Sequence, residues 1–388
     1  MKFVRKKENT EKYIDNIFSV VQAAKKDPQA INATAGCLYD EEGKLFTYQC
    51  VYEAEAQITP AKRASYAASP SGNGDYLSLI EDFVLDGRVK TPHGTIASPG
   101  GTGAIATAVM TCLDEGDTII YPQIAWGNYK VIANEHNLKV LTYDVYDLAD
   151  LFDKIDQAQG KVFVIINSPC QNPLGHAYSF EEWKQIMEKL NGLHKETVLL
   201  CDIAYIDYAT GDPKVYFSLF NELSDDVLVL LAASCSKAFS YYGQRLGALI
   251  AINNDAEFID HYMNLCSRTA RATWSNLNNA AMINIAEVLR DHRKEYDEER
   301  FAAREMLKKR TDLFIRQAEE CGLELYASAD GFFVTIKCED NQMRDAYHQR
   351  LIDQHIYTIA VNKGIRIGIC SVPLKTLDGL AYKLKELM

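Results

Sequence analysis

From about residue 95 to 255 the chain alternates short, almost wholly apolar runs with longer stretches of helical periodicity. The runs are Gly94–Ala97, Asp117–Tyr121, Lys139–Tyr143, Lys161–Asn167, Thr197–Asp202, Val227–Ala232 and Leu246–Ile252. Short, continuous apolar runs rich in β-branched residues predict strands buried on both faces. Between them, segments such as Ser179–Leu190 space apolar residues for a helix, with Ser179 as N-cap and Glu182 three positions on. This alternation predicts βαβ units and a mostly parallel sheet. Ligands of such sheets bind at the carboxyl ends of the strands, which is where chemistry is to be sought.

Past residue 284 the pattern changes. Ile285–Cys321 reads as one long charged helix, Phe332–Cys338 and Ile365–Cys370 as strands, and Leu374–Leu387 as a closing amphipathic helix. These predict a second, smaller α+β unit, with the N-terminal segment packed on it. The expected division is a large domain over 46–285 and a small domain from 1–45 and 286–388. At 388 residues the chain is long enough for about two or three domains.

Composition narrows the function classes. An apolar fraction of 47% and a charged fraction of 24% are ordinary for a globular protein and exclude a disordered chain. The net charge of −12 disfavours general binding to phosphate backbones. Ten cysteines are scattered without a CxxC pair, which argues against a zinc ribbon or redox dithiol. Several, such as Cys201, sit in apolar runs as reduced core cysteines do, so a cytoplasmic location is expected. The opening MKFVRKKENTEKYIDNIF lacks an unbroken apolar core, so it does not read as a signal peptide. No stretch reaches the roughly 18 apolar residues of a membrane helix.

Six segments carry candidate chemistry. In ASCSKAFSYYGQRLGA, Lys237 follows a strand, is flanked by Ser234 and Ser236, and precedes Arg245 by eight residues. A lysine amine attacks an aldehyde only when neutral, and nearby positive charge favours that form. SPGGTGA places Gly101 and Thr102 between a strand and a helix, where backbone N–H groups bind phosphate. CDIAYIDY ends a strand on Asp202 with Tyr205 three residues beyond, a carboxylate able to hold a protonated ring nitrogen. Trp126 follows another strand and offers a stacking face. Asn172, in the turn NPLG, offers its amide. Arg366, on an apolar strand, suits a carboxylate. Taken singly, each has an ordinary alternative: a surface lysine, a plain turn, a capping aspartate, a core tryptophan, an edge-strand arginine.

Together, in this order, they resemble a fold-type I pyridoxal-phosphate enzyme, and more narrowly the class I aminotransferases of the aspartate and aromatic branch. The resemblance runs from Ile31-Asn32 and AGCLYDEEGK to Arg366. It implies a large domain with a seven-stranded, mostly parallel sheet and a small α+β domain built from both chain ends. Pyridoxal 5'-phosphate is the implied cofactor. By the resemblance, Lys237 is the Schiff-base lysine and proton shuttle, Asp202 pairs with the ring nitrogen, and Tyr205 and Asn172 bond the phenolate oxygen. Trp126 stacks on the ring, while Gly101, Thr102, Ser234, Ser236 and Arg245 hold the phosphate. Arg366 grips the substrate carboxylate, and Gly36 lines the site through its backbone. Tyr76, in GDYLSL, is matched to a tyrosine that reaches the cofactor phosphate of a partner subunit, implying a homodimer.

Two departures stand out. Family members usually carry a histidine three residues after the stacking tryptophan; here that residue is Tyr129. Dicarboxylate-specific members carry a second arginine about nine residues past the position matched by Trp274, and Leu277–Ile285 contains none. The expected donor therefore has an aromatic or neutral side chain, with a 2-oxo acid such as 2-oxoglutarate as acceptor. Arg268 and Arg271 lie nearby in sequence without an assigned place. Other chemistry on the same scaffold, a β-lyase or decarboxylase, and a non-catalytic cofactor-binding domain are the alternatives.

Overall fold

The computed structural model describes residues 16–328 and 330–388. Seven strands form the central sheet: β1 (His93–Ser98), β2 (Thr118–Pro122), β3 (Lys139–Tyr143), β4 (Val162–Asn167), β5 (Thr197–Asp202), β6 (Val227–Ser234) and β7 (Gly247–Ile252). Their order is β1-β7-β6-β5-β4-β2-β3. β3, β2, β4, β5 and β6 run parallel, whereas β7 is antiparallel to both its neighbours. The expected α/β fold with a mostly parallel seven-stranded sheet is what the chain adopts.

The continuous apolar runs follow from burial on both faces. Along β4, Val162, Val164 and Ile166 feed one core while Phe163 and Ile165 feed the other. Alternate side chains on a pleated strand point to opposite faces, so a strand covered on both sides keeps no polar stripe. Every residue of β4 and β5 is buried.

A second, antiparallel sheet has β8 (Phe333–Lys337), β9 (Ile359–Val361) and β10 (Gly364–Gly368) in the order β9-β10-β8. The N-terminal segment meets this region: Ile31–Asn32 pairs parallel with Ile356–Tyr357, and Gly368 N donates to Ala33 O at 2.8 Å. Residues 1–15 of the expected small domain lie outside the described residues.

Two helical expectations are corrected. Ile285–Cys321 is not one helix: Asn279–Asp291 and Arg293–Cys321 are separate, broken at His292 with φ −124° and ψ 24°. Residue 285 thus lies inside the first of these two helices. The closing helix is likewise two pieces, Leu374–Leu377 and Leu380–Glu386. Gly379, at φ +83°, turns the chain between them. Gln317 fixes that turn, donating to Asp378 Oδ1 at 2.6 Å and accepting from Gly379 N at 3.0 Å. Among the described residues, no helix is long and apolar enough to cross a membrane.

Candidate active site

β4, β5 and β6 deliver Asn167, Asp202 and Ser234 to the same edge of the sheet. There a cavity of about 300 Å³ is lined by Gly101, Thr102, Trp126, Asn172, Asp202, Tyr205, Ser234, Ser236, Lys237 and Arg245. Ten residues expected from the sequence are therefore brought together from separate strand ends. Cys37, Ile105, Asn167 and Tyr242 line the cavity too and were not singled out. Tyr242 sits five residues after Lys237, yet an aromatic in an ordinary-looking loop carries no local signal of its place. A larger depression of about 690 Å³ lies near Lys161, Thr197 and Asp226, at the opposite ends of the strands.

Lys237 extends into the cavity from a four-residue helix after β6. Its Nζ donates to Gly36 O at 2.6 Å and lies 4.8 Å from the Tyr242 ring centroid. Burial pushes its ammonium below the ordinary lysine range, and the charges of Arg245 and Arg366 add to this against the pull of Cys37 and Cys370. The backbone is braced from below: Tyr208 Oη donates to Lys237 O at 3.0 Å and Tyr296 Oη to Ala238 O at 2.9 Å.

Asp202 is buried at the opposite wall. Burial raises its carboxyl, opposed by the bonds from Tyr129 and Ala204 and by the Lys237 charge. Tyr129 Oη donates to Oδ2 at 2.6 Å and Ala204 N to Oδ1 at 3.1 Å. Asn167 ties the wall together, donating to Asp202 O at 2.8 Å and accepting from Asn172 N at 2.8 Å.

The glycine-rich turn packs against the Lys237 segment. Gly100 has φ +72°, and a side chain there would strike Arg245 Nη2 at 2.5 Å. A Cβ on Gly101 would lie 3.3 Å from Ser234 Cβ. These glycines let the start of the helix Gly100–Cys112 approach Ser234 and Arg245. Arg245 itself takes a left-handed φ of 53°, with Nη1 donating to Ser236 Oγ at 2.9 Å and Tyr242 O at 2.9 Å.

Arg366, on β10, is 7% exposed and stands at the margin of the cavity. Its Nη2 donates to Thr34 O at 2.6 Å and Nη1 to Asn172 Oδ1 at 3.3 Å, while Nε has no partner. The guanidinium lies over Phe333, 4.3 Å from the ring centroid. A buried arginine with an unused donor is incompletely satisfied, and an incoming carboxylate would complete it.

Tyr76 requires a correction. It is fully buried within its own subunit, with Oη donating to Gly247 O at 2.9 Å and beside Cys235 Sγ at 3.5 Å. It shares an inward helix face with Ile80, Phe83 and Val84, so it reaches neither this cavity nor a neighbouring molecule.

These features fit pyridoxal phosphate: a lysine amine, a facing carboxylate, an indole, and a helix N-terminus with hydroxyls and a guanidinium for a phosphate. The aminotransferase class I and II family model matches residues 28–384. The aromatic-amino-acid aminotransferase of Escherichia coli K12 is 27% identical over 294 residues, 71% of this chain and 73% of that protein. The aspartate aminotransferase of Haemophilus influenzae is 26% identical over 329 residues, 80% and 82% of the two chains. The crystal structure of an aminotransferase from Anaerococcus prevotii superposes with a TM-score of 0.91 at 29% identity, covering 99% of this chain and all of that one. An aromatic-amino-acid aminotransferase from Burkholderia pseudomallei, covalently bound to pyridoxal phosphate, shares the fold at TM-score 0.81 and 21% identity over 98% of each chain. The chain belongs to the aminotransferase class I and II family and is a pyridoxal-phosphate-dependent transaminase.

Proposed function

We propose that this transaminase moves an amino group from an amino acid with an aromatic or neutral side chain to a 2-oxo acid such as 2-oxoglutarate. The observation that carries the reading is the placement of Lys237 Nζ between Asp202 on one wall and Arg366 at the margin, with Cys37, Ile105, Trp126 and Tyr242 around them. Among the described residues, the cations lining the cavity are Lys237 and Arg245, and Arg245 is engaged with Ser236 and the Tyr242 carbonyl rather than free for a distal carboxylate. When bound, the cofactor supplies an electron sink for negative charge at the substrate's α-carbon. Lys237 would hold the cofactor between turnovers, and its neutral Nζ would take the α-proton and return it. Asp202 would keep the ring nitrogen protonated, and Tyr205 and Asn172 would bond the ring's phenolic oxygen. Trp126 would cover one ring face. Gly101, Thr102, Ser234, Ser236 and Arg245 would hold the phosphate. Arg366 would take the substrate carboxylate and Gly36 would line the approach.

A homodimer completes the reading. With Tyr76 buried, the aromatic presented outward from this region is Tyr66, 86% exposed. Its neighbour Ala67 donates from N to Asn276 Oδ1 at 2.9 Å, which ties it to the exposed turn after Arg271. A partner that received Tyr66 would meet Arg271 on the same surface, and this favours a second reading in which a dicarboxylate donor is served across the dimer.

The test is an absorption spectrum of wild type and Lys237→Ala, with and without single amino acids. Wild type should show a lysine-bound cofactor band that tyrosine or phenylalanine converts to the aminated form and that 2-oxoglutarate restores. Lys237→Ala should lose the borohydride-trappable linkage and nearly all turnover. A band that no amino acid converts would overturn transamination. A specificity constant higher for aspartate, abolished by Arg271→Ala, would establish the second reading instead.

A further inference from the structure

Tyr129 is buried without solvent exposure at the second position of the helix Asn128–Glu135. The indole of Trp126 meets its ring edge-on at 5.5 Å between centroids, and Tyr121 packs at 5.9 Å. These contacts leave its hydroxyl one polar destination, Asp202 Oδ2 at 2.6 Å. Asp202 Oδ1 takes one backbone donor, from Ala204. The carboxylate is thus fixed by two donors, one on each oxygen.

We propose that Tyr129 is a positioning residue that fixes the charge and orientation of Asp202 through a donor that keeps its proton across the working pH range. The inference rests on the assignment of Asp202 to the ring nitrogen. An imidazole in this place would gain or lose a proton between about pH 5 and 8. A phenol ordinarily ionises near pH 10, and here burial and the Asp202 charge push Tyr129 well above that. The other titratable groups facing the pair are Lys237, Tyr121, Tyr143, Tyr205 and Cys201. The four uncharged ones, all buried, are pushed up by that burial, so they stay protonated over the same range. Lys237, its ammonium pushed down by burial, is the neighbour free to change charge, and covalent attachment of the cofactor removes it as an independent cation. Asp202 therefore meets a constant environment on its far side, and its hold on a protonated ring nitrogen should be independent of pH where a histidine's would step.

The experiment uses pyridoxamine phosphate, which binds without the lysine linkage. Its dissociation constant is measured from pH 6 to 9 on apo-protein in a Lys237→Ala background, which removes the neighbour free to change charge, with Tyr129 intact and as Tyr129→Phe, Tyr129→His and Asp202→Ala. The nitrogen-15 shift of the labelled ring reports protonation in each. With Tyr129 intact the protein should bind with a protonated ring and no step in that shift. Tyr129→Phe, which keeps the ring volume, should bind about tenfold more weakly, the effect of removing one hydrogen bond to a charged group. Its ring nitrogen should lose its proton within the range. Tyr129→His should introduce a new step. Equal affinity and an unchanged nitrogen shift in Tyr129→Phe, with Asp202→Ala impaired, would overturn the role of Tyr129 alone. Unimpaired Asp202→Ala would remove the Asp202 assignment and this inference with it. Melting temperatures of each apo-protein separate misfolding from the effect sought, and Tyr129→His supplies an independent arm if Tyr129→Phe is unstable.

Discussion

A residue's chemistry and its orientation are separate pieces of information, and at Tyr76 the two part company. GDYLSL resembles a motif, but Tyr76, Ile80, Phe83 and Val84 form the buried stripe of the helix Gly74–Leu85. That stripe is legible at helical spacing and points inward. We expect Tyr76→Phe to cost about 1–2 kcal/mol, because Gly247 O loses a buried donor. Cofactor affinity should be unchanged. Denaturant unfolding and pyridoxal-phosphate titration of the variant check both halves; a loss of affinity without a loss of stability would restore Tyr76 to the site. Lys237, Asp202 and Arg245 were legible for the opposite reason. Each is a charged residue at or just beyond a strand end, where a chain that merely folds has little use for one. Cys37 and Ile105 were not legible, since apolar side chains lining a cavity look like any others in a core.

At the scale of elements, the strands of the central sheet were read to within a residue or two, and those buried on both faces leave no ambiguity of period, whereas the three-residue β9 was not read at all. Helix boundaries were harder. The apolar spacing runs through His292 and Asp378-Gly379, so periodicity joined helices that the backbone separates. Where a cap was written into the sequence, the boundary held. Ser179 accepts from Glu182 N, and the Glu182 carboxylate accepts from Ser179 N at 2.7 Å, which closes a capping box at the start of Phe180–Asn191. That helix buries Trp183, Ile186, Met187 and Leu190 beside the sheet. Ser179→Ala should cost about 1 kcal/mol, read as a lower denaturant midpoint at constant slope. Activity per folded molecule should not change, because the cap is remote from the cavity lining. A change in turnover at full folding would show that the helix is coupled to the site.

For the whole molecule, the question is what holds the N-terminal segment, the long helix and the β10 region in one arrangement, since the role proposed for Arg366 requires a fixed distance from Lys237. Arg310 is the junction. It lies on Arg293–Cys321, has no exposed surface, and donates from Nε and Nη2 to Glu41 Oε1 at 2.8 and 2.6 Å. Its Nη1 donates to Cys370 O at 3.1 Å, two residues past β10. Glu41 Oε2 in turn accepts from Leu374 N at 2.7 Å. One guanidinium and one carboxylate therefore tie three separate segments. The two partners are not equivalent, because Glu41 keeps 47% of its side chain exposed whereas Arg310 keeps none. Removing Glu41 strands a buried charge, a change that costs about 3–5 kcal/mol when water cannot reach the site. Removing Arg310 leaves a carboxylate that water can hydrate. Glu41→Ala should therefore destabilise by about 3 kcal/mol, at the low end because its cavity opens to solvent, and Arg310→Met by clearly less. Before global unfolding, Glu41→Ala should also raise KM for the amino donor more than it lowers kcat, since Glu41 no longer fixes Arg310 and Leu374, the groups that hold the chain just past β10. Paired unfolding curves and steady-state kinetics decide it. Equal losses for the two variants, or an unchanged KM in Glu41→Ala, would mean that β10 is held by the small sheet alone.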